Sequence, residues 1–286
     1  MARVFNGSNQ SLTLTESLFS GSSTDYNWSL VAWCRPNDRH EGTVIGADEQ
    51  SGSNGRFSLF SRNTGRFAAR RKSSYIQTPN ADYSNSNTTW LHLAGTWQYN
   101  LRELYVNGVK EAYEPGNKSG GGEAGTTNIS INPAKATKFY IGQDHSGKYW
   151  DGAIAEAAAY SVALSASEIS ALAAGFSPLL VRPESLIGYW PLGGALASDT
   201  GDIDLINGKD LTANNSPTTE KHPPIIYPSR PSLVLPSAPP PVISDGSVSE
   251  YARVGDTSGG FTKPYDTSST YSRDADTTGT FTRPSE

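Results

Sequence analysis

Between residues 3 and 161 the chain breaks into short runs in which apolar residues alternate or cluster, and Gly, Asn, Asp or Ser separates one from the next. The runs are RVFNGS, SLTLT, WSLVAWCRP, GTVIG, RFSLFSRN, RFAARRK, WLHLAGTWQ, LRELYVNGVKEA, KFYIGQD and AIAEAAAYS. Strands spaced this regularly, rich in β-branched and aromatic residues, predict a β-sandwich or barrel. One pair also fixes its own turn. In TWQYNLRELYVNGVKEAY, Trp97, Leu101, Leu104 and Val106 supply an apolar side, and Asn107-Gly108 suits the two positive-φ positions of a two-residue hairpin.

SASEISALAAG breaks the pattern. Ser165 with Glu168 three residues on makes a capping box, Ile169 and Leu172 form an apolar stripe, and Gly175 stops the run, so one short helix is expected there. LLVRPESLIGYWPLGG and DIDLINGKDLTANN add two more strand-like pieces. SGGGEAG at 119–125 reads as a flexible loop, with no following helix to make a phosphate cradle. From Pro228 the character changes: YPSRPSLVLPSAPPPVISDG carries too many prolines for a central strand and reads as an extended connector. The expected organisation is a body over 1–227, a Pro-rich linker over 228–248 and an arm over 249–286.

The arm repeats itself. YARVGDTSGGFTKP and YSRDADTTGTFTRP share Tyr251 and Tyr271, Arg253 and Arg273, Phe261 and Phe281, and Pro264 and Pro284. Segments this polar bury too little to offset the entropy of ordering them alone. An ordered arm therefore implies a borrowed surface, either sister copies or a groove that accepts an extended peptide, with these eight residues as the assembly anchor. Fully extended, the stretch from Pro228 onward would reach about 150–200 Å.

Composition excludes several classes. The net charge of -5 argues against a nucleic-acid surface. Cys34 is the one cysteine, set in WSLVAWCRP as a small apolar residue, so neither an intrachain disulfide nor a thiolate metal cage is expected. MARVFNGSNQ enters strand-like sequence at once, so synthesis in a cytoplasm without a secretory leader is expected, and the Asn27 and Asn128 sequons are expected to stay unmodified. No apolar run approaches membrane-spanning length, so no membrane insertion is expected.

FNGSNQSLTL, WSLVAWCRP, WLHLAGTWQ, LYVNGVKEA, FYIGQD and WDGAIAEAAAYSVALSASEISALAAG stand in the order of the laminin-G-like, concanavalin A-like jelly-roll modules, which this chain resembles over residues 3–175. The resemblance implies an all-β jelly-roll β-sandwich with one short helix, extended here by the C-terminal arm. GYWPLGG and DLINGKDLT look like the strand pair that ordinarily precedes the Phe-Asp-Gly strand of that family. They follow the helix here, so residues 186–215 are expected to complete the same sandwich in permuted order. The arrangement after the helix also resembles structural proteins of tailed bacteriophages. That implies a virion location after synthesis in the host cytoplasm, with capsid or tail proteins and sister copies as partners.

The same resemblance raises hydrolysis, calcium and sugar. Retaining glycosidases need two carboxylates about 5 Å apart. The family's Glu-x-Asp-x-x-Glu run is absent: GAIAEAAAY offers Glu156 alone, and Glu103 has no carboxylate two residues away. Of the histidines, His40, His92, His145 and His222, the second reads as a strand histidine, and no Gly-x-Ser-x-Gly elbow exists. The chain is therefore read as non-enzymatic.

A structural calcium ion is the one cofactor the family suggests. Asp144, Asp151 and Glu156 are its candidate ligands, with Asp48 and Glu49 as others, against a bland reading of them as loop acids. Asn6 and Ala155 stand where the family carries aspartates. For glycans, QDHSGKYWDG offers Asp144 and His145 for hydroxyls and Tyr149 and Trp150 as ring faces, Trp150 being open to a core reading as well. Arg70, Arg71 and Lys72 form a basic cluster, solvated or facing an acidic partner. The expected function is a virion protein displaying a lectin-like, glycan-binding module. The alternatives are an architectural decoration protein without a ligand and, last, a polysaccharide-active enzyme.

Overall fold

The computed structural model describes residues 1–19, 27–48, 56–71, 74–79, 89–98, 101–111, 114–115, 136–193, 197–198, 201–228, 261–262, 270–273 and 281–282. The chain divides into two compact units, Met1–Ser229 and Arg230–Glu286. In chain order the strands of the first unit begin with β1 (Ala2–Asn6), β2 (Ser11–Leu14), β3 (Trp28–Pro36), β4 (Thr43–Asp48), β5 (Phe57–Ser61) and β6 (Phe67–Arg71). Next come β7 (Ser74–Gln77), β8 (Leu91–Trp97), β9 (Arg102–Val106), β10 (Val109–Lys110), β11 (Glu114–Pro115) and β12 (Lys138–Ile141). The long β13 (Asp151–Tyr160) leads to helix α1 (Ala166–Ala173), and then follow β14 (Leu186–Trp190), β15 (Ala197–Ser198), β16 (Gly201–Asp202), β17 (Leu211–Asn214) and β18 (Thr218–Glu220).

These strands make two antiparallel sheets. One runs β10-β9-β8-β3-β13-β1-β18 with β14 paired to β13, and the other runs β11-β7-β6-β5-β4-β12-β2-β17-β16-β15. Among the described residues the two sheets form an antiparallel sandwich with one α-helix, the all-β architecture expected. Inward residues of both sheets meet in one core that includes Phe5, Leu12, Phe57, Trp97, Phe139 and Trp190. Its aromatic rings pack face to face and edge to face, Phe139 on Trp190 with centroids 5.0 Å apart and Phe19 edge-on to Phe57 at 4.7 Å.

Local chemistry sets the element ends. At Asn107 and Gly108 φ is +51° and +80°, as the β9–β10 turn requires, and Asn107 Oδ1 accepts the His92 backbone N–H at 2.9 Å. The α1 capping box closes both ways, with Ser165 Oγ accepting from Glu168 N and Glu168 Oε2 accepting from Ser165 N. Ile169 and Leu172 bury the helix on the outer side of the first sheet, against a second cluster that includes Val31, Tyr105 and Tyr160.

β13 changes partner halfway along. Residues 151–154 pair with β1 and residues 157–160 with β14, while β3 runs along the other side. The bulge between Ala155 and Ala158 makes the switch, and Glu156 sits in it at φ +52°. Strands after the helix thus enter both sheets: β17 pairs β2, β18 pairs β1, and buried Arg3 joins Asp202 at 2.8 Å.

In the second unit, three short strands, β19 (Phe261–Thr262), β20 (Thr270–Arg273) and β21 (Phe281–Thr282), pair antiparallel. Phe261 stands opposite Tyr271 and Arg273 opposite Phe281, so these repeat positions are backbone partners of one another. Tyr251, Arg253, Pro264 and Pro284 lie outside the described residues, as does most of the Pro-rich stretch.

Candidate functional site

A strand shows alternate residues to opposite sides, and the second sheet uses this plainly. Leu12, Leu14, Phe139 and Ile141 go into the core. Between them Ser11, Thr13, Lys138 and Tyr140 line a groove on the outer side, joined by Asn214 of β17. Register holds them together: Tyr140 is opposite Thr13, and Asn214 is opposite Ser11. The loop between β12 and β13 makes one wall through Gln143, His145 and Tyr149, and the cavity has a volume of ≈ 460 Å³.

Asp144 shapes that wall. Its Oδ1 accepts from Ser146 N (2.9 Å), Ser146 Oγ (2.7 Å) and Lys148 N (3.1 Å). Its Oδ2 accepts from Arg56 at 2.7 Å and from Arg70 at 3.2 Å. Burial alone would raise its carboxyl, but the bonds from Ser146 and Lys148 and the charges of Arg56 and Arg70 hold it below the usual carboxylate range. Beside it Asp48 lies 3.3 Å from Arg56 and 2.6 Å from His145 Nδ1. Burial pushes the Asp48 carboxyl up, against the pull of Arg56 and His145.

Several sequence expectations change here. Asp144, a sugar or calcium candidate in the sequence, lines the groove as well, with both oxygens engaged by the loop and by Arg56 and Arg70. Trp150 is only 1% exposed and stacks on Phe67 with centroids 6.4 Å apart, so it is a core residue with no open face. Tyr149 and His145 do line the groove.

The three calcium candidates have separate partners. Asp151 Oδ1 accepts from Asn37 Nδ2 at 2.8 Å, while buried Glu156 accepts from Tyr189 Oη at 2.6 Å and Tyr227 Oη at 2.8 Å, with His222 Nε2 2.8 Å away. Among the described residues no three His, Cys, Asp or Glu side chains gather where they could hold a metal ion. Of the remaining candidates, Asp48 belongs to the arginine network and Glu49 lies outside the described residues.

The basic cluster is not a solvated face. Arg70 joins Asp144 and lies over the Phe60 ring at 4.2 Å, Arg71 is buried, and Lys72 lies outside the described residues. Cys34 is buried with its thiol pushed up by burial, an inert residue. His92 is a buried strand histidine whose ring packs edge-on to Trp33 at 5.4 Å.

Groove residues that sequence reasoning missed include Ser11, Thr13, Lys138 and Tyr140. Their signal was present in SLTLT and KFYI, where polar or amphipathic residues alternate with apolar ones.

Residues 6–170 match the model of the family described as the concanavalin A-like lectin/glucanases superfamily. No curated protein matches the chain. Among solved structures, one of a candidate carbohydrate binding protein from Bacteroides ovatus is 18% identical with a TM-score of 0.53, covering 79% of this chain and 61% of its own. The chain thus spans about three fifths of that structure's length, and the likeness is one of fold. A heptameric SAP-like pentraxin from Limulus polyphemus is 16% identical, with a TM-score of 0.43, and covers 60% of this chain and 81% of its own. Domain 4 of an extracellular GH43 arabinanase from Geobacillus stearothermophilus, in complex with arabinotriose, is 18% identical with a TM-score of 0.44, covering 60% and 76%.

Proposed function

The chain belongs to the laminin-G-like branch of the concanavalin A-like lectin/glucanases superfamily, and on that footing we propose that it is a non-enzymatic carbohydrate-binding module whose ligand lies over β12, β2 and β17. One observation carries this reading. Alternate residues of three adjacent strands give the groove a floor of hydroxyl, amide and ammonium groups, with Tyr140 in it and Tyr149 at its wall. That combination of hydrogen-bonding groups and an aromatic ring is what a sugar ring uses. The reading as a binder rather than a hydrolase is supported by the two buried carboxylates beside the groove, Asp48 and Asp144, which are both held by Arg56 and so are tied up as acid or nucleophile.

A glycan array probed with the full chain is expected to show saturable binding. Tyr149→Ala is expected to weaken the best hit about tenfold with the thermal midpoint unchanged, because Tyr149 sits at the cavity wall rather than in the core. An array with no hit would favour the ligand-free architectural role.

The finer reading is that of a tailed-phage virion component, located on the capsid or tail, with the lectin-like unit outward and the repeats of 249–286 fastening it to other virion proteins or to sister copies. It is supported by the resemblance of the post-helix arrangement and by the repeated polar segments. Two copies of one grip raise retention by avidity. Met1–Ser229 is a compact unit by itself, so a chain ended at Ser229 is expected to keep its thermal midpoint while losing co-sedimentation with particles. Unchanged incorporation of that shortened chain sinks the attachment role.

A further inference from the structure

The floor of the groove is oriented. Asn214 Nδ2 donates to Ser11 Oγ and to Thr13 Oγ1, each at 3.2 Å. An amide nitrogen has two hydrogens, so both are committed, and each hydroxyl that accepts one keeps its own O–H to donate elsewhere. Among the described residues neither hydroxyl donates to another protein group. Thr13, half-buried, therefore offers its O–H at the cavity floor, while Ser11, also in the lining, is only 1% exposed.

Lys138 adds a charge to them. It lies on β12 in the same outward row as Tyr140, which is opposite Thr13, and it lines the same cavity. It is half-buried, and among the described residues it forms no ion pair. Asp48 stands opposite Lys138 in the β4–β12 register but makes its ion pairs with Arg56 and His145, and Asp144 makes its own with Arg56 and Arg70. Taking Asp48, Asp144, Arg56, Arg70 and Lys138 at full charge leaves one net positive charge, and that charge is at the groove.

A half-buried ammonium and a hydroxyl donor on the floor of one groove call for an acceptor-rich, negatively charged partner. Given the reading of this groove as a glycan site, we propose that it selects acidic sugars, with the sugar carboxylate held by Lys138 Nζ and the Thr13 hydroxyl. Tyr149 then stands at the sugar ring. A charge-assisted contact of this kind is worth at least about tenfold in affinity.

Calorimetry on the full chain with matched pairs tests this. The probes are tetragalacturonic acid against its methyl ester and sialyllactose against lactose, with dextran sulfate as a sulfated arm. The acidic member of at least one pair is expected to bind tenfold or more tighter than its neutral partner. Lys138→Gln is expected to remove that preference, and Lys138→Arg to keep it, both with the wild-type thermal midpoint. Acid and neutral partners binding equally, or a preference that survives Lys138→Gln, overturns the acidic-sugar inference and leaves the carbohydrate-binding reading standing. Dextran sulfate binding alone, indifferent to Lys138, overturns it as a nonspecific polyanion effect. Silence from every probe here and from the array overturns the carbohydrate-binding reading itself.

Discussion

A chain ended at Phe176, which still contains the whole family-matched segment 6–170, is expected to lose cooperative folding. Three strand pairings go at once: β14 with the second half of β13, β17 with β2, and β18 with β1. The core also loses Trp190, fully buried, stacked on Phe139 and donating its indole N–H to Lys209 O at 2.9 Å. Removing a buried Trp side chain costs about 3–5 kcal/mol. Arg3 is affected too. Its guanidinium is buried and holds Asp202 at 2.8 Å, Pro217 O at 2.9 Å and Gly201 O at 3.1 Å, all beyond residue 176. Truncation returns that guanidinium to water, so what goes is the tie between β1 and the post-helix strands. With the Trp190 loss and the three strand pairings, the deficit approaches the roughly 5–15 kcal/mol that holds a typical domain. Near-UV circular dichroism and a thermal melt decide it: a flat spectrum without a transition is expected, whereas a cooperative melt within a few degrees of the full chain would show that the post-helix strands are ornaments.

The sequence made the strands legible because their signals are local. The Asn107-Gly108 turn, the Ser165/Glu168 capping box and the inward run of β12 each depend on residues a few positions apart. GYWPLGG was expected in the same sandwich from the likeness of its motif, and its strand β14 pairs with β13. What could not be read is who meets whom across the sheet. Asp144 looks like an open loop acid until Arg56 and Arg70, distant in sequence, close on it. Trp150 looks like a platform because its neighbours are polar, yet the ring goes inward to Phe67. Lys138 drew no attention because a lysine starting a strand is ordinary. It becomes informative only when β2 and β17 bring Thr13 and Asn214 onto the floor of the same groove.

Acid is expected to destabilise the body through His92, in a pH window set by its buried ring. His92 is 1% exposed on β8, and its Nδ1 finds no hydrogen-bond partner among the described residues. Burial lowers its pKa from 6.5 to about 3. The folded chain therefore keeps the imidazole neutral where the unfolded chain protonates it. The sign follows: the stability is fully present above pH 6.5 and is lost as pH falls toward 3, by about 1.4 kcal/mol per pH unit. At pH 5 the loss from this one residue is about 2 kcal/mol.

Other groups are shifted in both directions, Asp144 and Glu103 held down while burial pushes Asp48 and Asp202 up. A difference measurement cancels them. His92→Phe keeps an aromatic ring against Trp33, so urea denaturation of the two proteins is expected to give similar stabilities at pH 7.5. At pH 5 the variant should be the more stable by about 2 kcal/mol. Should the Phe ring fit badly and shift the variant at every pH, the slope of the difference between pH 7.5 and pH 5 still reads the single proton. Curves that fall in parallel mean that the acid sensitivity of this sandwich lies elsewhere.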